Sequence, residues 1–113
     1  MPSINKLSDI KHTVSFFGCD GNPEPVTGST WALNYYTTTP NSPIVVSYSG
    51  GTFSSNCKVD PLDDTKLIVI FNEPNFAPGN LNVTSTQLYT DVDFPDNNYK
   101  IVRTYSTGIS ITT

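Results

Sequence analysis

The chain has 113 residues and a formal net charge of −4, and only 14% of its residues are charged. This length is typical of one domain with one hydrophobic core. The six lysines and arginines are scattered singly, so there is no basic stripe for phosphates, and no run approaches the roughly 20 apolar residues of a membrane helix. Composition therefore predicts a single folded domain that binds neither nucleic acid nor membrane.

The first segment, MPSINKLSDIKH, carries apolar residues three positions apart at Ile4, Leu7 and Ile10. This spacing fits either an arm that docks on a neighbouring subunit or a loose terminus. We divide the chain into an N-terminal arm, residues 1–12, and a folded domain, residues 13–113. The three apolar residues of the arm are the candidate interface residues.

The two cysteines, Cys19 and Cys57, are compatible with either free thiols or a bridge between two sheets. The N-terminal segment has no apolar stretch of the kind found in signal peptides. We therefore expect a protein that is not secreted, and in that compartment free thiols are favoured over a disulfide.

From residue 13 the pattern is that of short β-strands separated by turns. HTVSFFG is followed by the turn-rich CDGNPEPVTG, and STWALNYYTTT then places Trp31, Leu33 and Tyr35 on one face. After PIVVSYS comes Gly50-Gly51, the strongest hairpin signal in the chain. It predicts GTFSSNCKV as the returning strand.

The second half begins with the acidic turn DPLDD and the run TKLIVIF. This run is apolar on both faces, which predicts the most buried strand. The next segment, NEPNFAPGN, is predicted to cross to the facing sheet, with Phe76 filling the core and Gly79 allowing the turn. LNVTSTQLYTDV, NYKIVRTY and GISITT are the remaining strands.

These elements predict an all-β fold, a single immunoglobulin-like antiparallel β-sandwich of about eight short strands with a short N-terminal arm. Trp31 is expected in its core. A small barrel is the alternative.

Catalytic chemistry finds little support in the residue inventory. His12 is the only histidine, and the chain has no G-x-S-x-G motif. Cys57 precedes Lys58, a cation that can lower a thiol pKa, but neighbouring strand residues point to opposite faces. We therefore predict that the protein is not an enzyme.

Two acidic clusters, VDPLDDT and TDVDFPD, raise the question of a calcium site. Neither matches a twelve-residue EF-hand loop, and Asp63 and Asp64 more plainly serve to stabilise a turn. We predict no metal and no cofactor.

The six tyrosines offer a second kind of site, because exposed tyrosines on a sheet stack on sugars or anchor interfaces. The candidate surface aromatics are Tyr35, Tyr36 and Tyr99.

Five motifs occur in order along the chain: W-x-L-x-Y-Y-T, G-x-F-x-x-x-C, D-x-x-K-L-I-V-I-F, F-x-P-G-x-L and T-G-I-x-I-T. In this order and spacing the chain, over residues 13–113, resembles β-sandwich proteins associated with the tail, baseplate or fibres of bacteriophages and prophages. Its plan is similar to that of the N-terminal domain of phage baseplate upper proteins. Those proteins continue into long fibre-forming segments, whereas this sequence stops at Thr113.

The resemblance implies a non-enzymatic virion structural protein, an adaptor or a fibre, baseplate or head decoration component. Its partners would be other virion proteins and further copies of itself, assembled in the cytoplasm of the host bacterium. Attachment through the N-terminal arm or the edge strands is expected. The alternative is a β-sandwich module that binds carbohydrate or a cell surface, with a host glycan as the ligand.

Overall fold

The computed structural model describes residues 3–37 and 43–112, so the end of the predicted strand STWALNYYTTT lies outside the described residues, as do residues 1, 2 and 113. The described chain has a single 3-10 turn, at Val26–Gly28, and no helix long and apolar enough to cross a membrane. Its strands are β1 (Ser3–Asn5), β2 (Ile10–Ser15), β3 (Thr30–Tyr36), β4 (Ile44–Ser49), β5 (Thr52–Phe53), β6 (Cys57–Asp60), β7 (Asp63–Phe71), β8 (Gly79–Thr90) and β9 (Asn98–Thr112). The predicted all-β class is confirmed.

The strands form two facing sheets, of six strands in the order β1-β9-β8-β3-β4-β5 and of three in the order β2-β7-β6. In the lettering of immunoglobulin variable domains, β9-β8-β3-β4-β5 correspond to strands G-F-C-C′-C″ and face strands B-E-D, and β1 is an additional strand beside β9. Neighbouring strands are antiparallel, except that β1 runs parallel to the end of β9. The place of strand A, beside β2, is not taken by any strand of the described chain, so β2 lies at a sheet edge.

The hydrophobic core lies between the sheets and follows from the alternation of the strands. The inward residues of β3 and β7 are each at most 4% exposed: Trp31, Leu33, Tyr35, Leu67, Val69 and Phe71. The predicted core position of Trp31 is confirmed, and its indole N–H donates a hydrogen bond to the Val26 carbonyl at 2.8 Å.

Strand β7 is buried on one face only, so the prediction that this apolar run is the most buried strand is wrong. Leu67, Val69 and Phe71 point into the core, whereas Ile68 is half-buried and Ile70 is 43% exposed. The reason is the layer arrangement: the described chain has two layers, so the outer face of the three-stranded sheet faces solvent.

The predicted hairpin at Gly50-Gly51 is confirmed, with both glycines at positive φ, 60° and 85°. The returning strand differs from the prediction, because it ends at Phe53 and the chain then changes sheets. After a turn at residues 55–56, β6 begins at Cys57 and pairs with β7. This change places Cys57 and Val59 against the core from the opposite layer.

The last two predicted strands are one continuous strand in the structure. Gly108 lies inside β9 with a φ of 80°, and the register with β8 shifts between Asn80 and Asn82. The hydroxyl of Thr107 donates to the Leu81 carbonyl at 2.9 Å, which holds the two strands together across this irregularity. The predicted separation of NYKIVRTY from GISITT is therefore a local bulge rather than a chain reversal.

The predicted crossover between β7 and β8 is confirmed. Phe76 is 6% exposed and packs edge-on against Phe71, with ring centroids 5.9 Å apart. Gly79 has a φ of 140°, where a side chain would be strained.

The first residues form part of the sandwich, so the predicted boundary at residue 13 falls inside β2. Ile4 lies in β1 and packs against the core, and Ile10 is 3% exposed at the start of β2. Only Leu7, in the turn between these strands, is well exposed, at 63%.

Candidate binding groove

A groove of about 310 Å³ lies between β2 and the inward faces of β8 and β9. It is lined by six consecutive residues, 12–17, and by Ser85, Gln87, Arg103 and Tyr105. Successive residues of a strand point to opposite faces. Six consecutive lining residues therefore mean that the groove runs along the edge of β2 rather than along one of its faces.

The hydrogen-bonding parity of β2 shows which main-chain groups face the groove. The N–H of Phe16 donates to the Thr65 carbonyl at the end of β7, at 2.9 Å. In an antiparallel ladder alternate residues bond to the same neighbour, so the even-numbered residues of β2 bond to β7. The N–H and C=O groups of Lys11, Thr13 and Ser15 therefore point to the open edge.

The next odd-numbered residue, Phe17, shows what fills this edge at one end of the groove. Its carbonyl accepts hydrogen bonds from the Gln87 amide at 3.1 Å and from the Arg103 guanidinium at 3.3 Å. Arg103 also donates to the Gly18 carbonyl at 3.2 Å and to the side-chain oxygen of Gln87. At this end of the groove the side chains of Gln87 and Arg103, rather than another strand, bond to the open edge that follows β2.

A second set of hydrogen bonds continues this closure into the loop before β3. The hydroxyl of Tyr89 donates to the Glu24 carboxylate at 2.7 Å, and Gln87, which is 1% exposed, donates to that hydroxyl at 3.4 Å. Burial, together with the bond to Glu24, raises the pKa of Tyr89 to about 12. The phenol therefore remains a neutral donor at any physiological pH.

At the other end of the groove, His12 and Tyr35 share a hydrogen bond of 2.9 Å between Nδ1 and the phenolic oxygen. Burial lowers the pKa of His12, because the charged imidazolium loses hydration. Burial likewise raises the pKa of Tyr35 far above its usual value. Both groups are thus held neutral, and the pair joins the two sheets.

The free energy of unfolding should fall as the pH is lowered below 6.5. The folded-state pKa of His12 lies below that value, so in this range the unfolded chain binds a proton that the folded chain does not. Stability is fully present above pH 6.5 and declines as the pH drops towards the folded-state pKa, with a slope of at most about 1.4 kcal/mol per pH unit.

Urea denaturation between about pH 7.5 and about pH 5, the range in which histidine titrates, measures this slope. His12→Gln, which has no titrating group, is the control and should give a nearly flat profile. An unchanged slope in this variant would contradict the assignment to His12.

The two cysteines do not form a reactive pair. Both are free; Cys19 is exposed and Cys57 is half-buried. Burial raises the pKa of the Cys57 thiol, which opposes formation of the nucleophilic thiolate. Lys58, on the neighbouring position of β6, points to the outer face.

The acidic side chains serve mainly in turns. Asp63 accepts hydrogen bonds from the N–H and the hydroxyl of Thr65, which lower the pKa of this carboxyl, whereas Asp64 has no such role in the turn. Asp91 and Asp96 cap the β8–β9 turn by accepting from the N–H groups of Asp93 and Asn98. Within residues 3–37 and 43–112, no three metal-binding side chains come together.

The predicted surface aromatics have three different environments. Tyr35 is fully buried, so its prediction as a surface residue is wrong; it lies on the inward face of β3, and its hydroxyl reaches His12. Tyr36 is half-buried on the outer face. Tyr99 is 38% exposed and packs against Phe94, with centroids 5.5 Å apart.

The predicted interface residues are also separated by the fold. Ile10 is a core residue, Ile4 packs on the core, and Leu7 alone projects from the surface. The groove residues Gln87 and Arg103 were missed by sequence reasoning, since each looks like an ordinary polar residue of a strand. The strand sequences did hold a signal, because Gln87 and Arg103 occupy alternate positions that point to the core face of their strands.

Comparison of the chain with family models, with curated proteins and with solved structures found no match in any of the three.

Proposed function

We propose that this protein is a non-enzymatic structural component of a bacteriophage virion, an adaptor or a fibre, baseplate or head decoration subunit, which acts by protein–protein assembly. The observation that carries the proposal is the open edge of β2, because an unpaired strand edge is a ready site for pairing with another chain. The partners are other virion proteins and further copies, joined in the host cytoplasm.

Two further observations support an assembly role. Burial favours the neutral imidazole of His12 and the protonated thiol of Cys57, the uncharged forms that suit a structural role. The outward residues of β8 are uncharged, as in the centre of many protein interfaces: Asn82, Thr84, Thr86, Leu88 and Thr90. The reason for naming a phage virion is the sequence resemblance described above.

The second candidate is a module that binds carbohydrate or a cell surface. It is favoured by the exposed pair Phe94 and Tyr99 beside the β8–β9 turn, where an aromatic face is available to a sugar ring. A host glycan would be the ligand in that case.

Light scattering across a concentration series, together with a glycan array, distinguishes the two functions. Defined oligomers, or a lack of glycan binding, support assembly. A monomer at every concentration that binds glycans, and loses that binding in Tyr99→Ala, contradicts it. Deletion of the N-terminal segment is a poor test, because removing Ile10 would open the core.

A further inference from the structure

We infer that the groove along β2 accepts one extended, acidic segment of a partner subunit, which adds to the three-stranded sheet as a new edge strand. The inference rests on the proposed assembly function and names the class of partner that this site takes. The segment would occupy the place of strand A, beside β2, which is empty in the described chain.

Main-chain complementarity is the first part of the argument. Lys11, Thr13 and Ser15 direct their N–H and C=O groups to the open edge, as the ladder with β7 requires. A strand placed about 4.8 Å from β2 would pair with all of these groups. Beyond Ser15 the edge is closed, because Gln87 and Arg103 bond to Phe17, and this closure fixes where the added strand must end.

The shape of the groove is the second part. Alternate side chains of the added strand would enter the space between the sheets, and the remaining ones would face solvent. Val14 and Phe16, each 4% exposed, and Tyr105 form the apolar walls of that space. The segment should therefore carry apolar side chains at every second position.

Charge is the third part and determines the kind of segment. The residues that border the groove include one cation, Arg103, and no carboxylate, and Lys11 lies next to them on β2, in a chain of net charge −4. The carboxylates beyond the ends of β2, Asp9 and Glu24, already accept hydrogen bonds from the Glu73 N–H and the Tyr89 hydroxyl. An acidic segment is complementary to this border.

The same charges oppose pairing with the wrong strand. Lysine on an edge strand discourages edge-to-edge aggregation between identical chains. A second copy of β2 would bring another Lys11 towards Lys11 and Arg103 at the groove. The edge is thus open to an acidic strand and unfavourable to its own copy.

The test is a titration of the isotope-labelled protein with the synthetic peptide acetyl-TVDVDVTVT-amide, followed by NMR and amide hydrogen exchange. Binding should slow the exchange of the Lys11, Thr13 and Ser15 amides, which face the groove. The matched peptides are TVKVKVTVT, which reverses the charge, and an N-methylated TVDVDVTVT, which cannot complete the ladder. Both should bind at least about tenfold more weakly.

Protein variants separate the two contributions. Thr13→Pro removes an N–H that faces the groove and leaves the bonds of His12 and Val14 to β7, so peptide binding should be lost. Lys11→Glu should weaken binding about fivefold. The matched control is Lys100→Glu, which reverses a cation on the outer face of β9, outside the groove, and should change binding little.

No binding of the acidic peptide at about 1 mM, or protection at another edge, overturns the inference. The exchange measurement on the unmodified protein keeps this test valid if Thr13→Pro does not fold. Oligomers that form without peptide binding would leave the assembly function standing and overturn the groove as its site. Glycan binding by a strict monomer would overturn the function whatever the peptide does.

Discussion

Trp31→Ala should lower the free energy of unfolding by about 4 kcal/mol, the magnitude typical of truncating a large buried aromatic residue. Trp31 is 2% exposed, and its ring lies 5.0 Å from that of Phe16 and 6.1 Å from that of Tyr48 between centroids. The substitution also removes the donor to the carbonyl of Val26, which is itself fully buried. The total free energy of unfolding of a domain of this size is roughly 5–15 kcal/mol, so the substitution would remove much of its stability.

Urea denaturation followed by far-ultraviolet circular dichroism measures this loss, since the only tryptophan is removed. Trp31→Phe keeps most of the packing and lacks the N–H donor, so it should lose less than half as much. Leu62→Ala, at a side chain that is 94% exposed, is the surface control and should stay within about 0.5 kcal/mol. A loss in Trp31→Ala no larger than this control would contradict the core assignment.

Arg103→Ala should lower the free energy of unfolding by about 2 kcal/mol, because it leaves the buried side-chain oxygen of Gln87 without its donor and removes one of two donors from the Phe17 and Gly18 carbonyls. The guanidinium bonds to the Phe17 and Gly18 carbonyls and to the side-chain oxygen of Gln87, which is 1% exposed. Its removal should also loosen the loop between β2 and β3, and this is visible as faster amide exchange at Gly18 and Gly21, whose N–H groups bond within that loop.

The controls for this prediction lie on the same strand. Arg103→Lys retains the charge but has a single donor group, so it should recover only part of the stability. Lys100→Ala removes an exposed cation from β9 and should change stability by less than about 0.5 kcal/mol. Equal losses in Arg103→Ala and Lys100→Ala would show that the bonds of Arg103 do not stabilise the fold.

The parts of the fold that the sequence predicts correctly are those determined by residues close together in the chain. The alternation of Trp31, Leu33 and Tyr35 predicted a strand and its core face, and Gly50-Gly51 predicted a hairpin, because only positive φ satisfies that turn. Phe76 and Gly79 were likewise assigned to the crossover correctly. Each of these features depends on side-chain period or backbone conformation within a few residues.

The errors concern contacts between distant segments. Ile70 was assigned to a buried strand, yet its exposure depends on whether another layer covers that sheet. Tyr35 was assigned to the surface although the same alternation places it beside Leu33, since tyrosine is compatible with both environments. The change of sheet after Phe53 depends on where β6 finds a partner, and that partner is β7.

The sequence by itself determined that the chain is one all-β domain, with its strands, its main turns and its central tryptophan, because period and turn chemistry are local properties. Only the tertiary structure decided that β2 has an open edge, that Arg103 reaches a loop 85 residues earlier at Gly18, and that His12 meets Tyr35. These features arise from the order of strands in the sheets. That order is set by the joint packing of both layers, and no single segment of the sequence determines it.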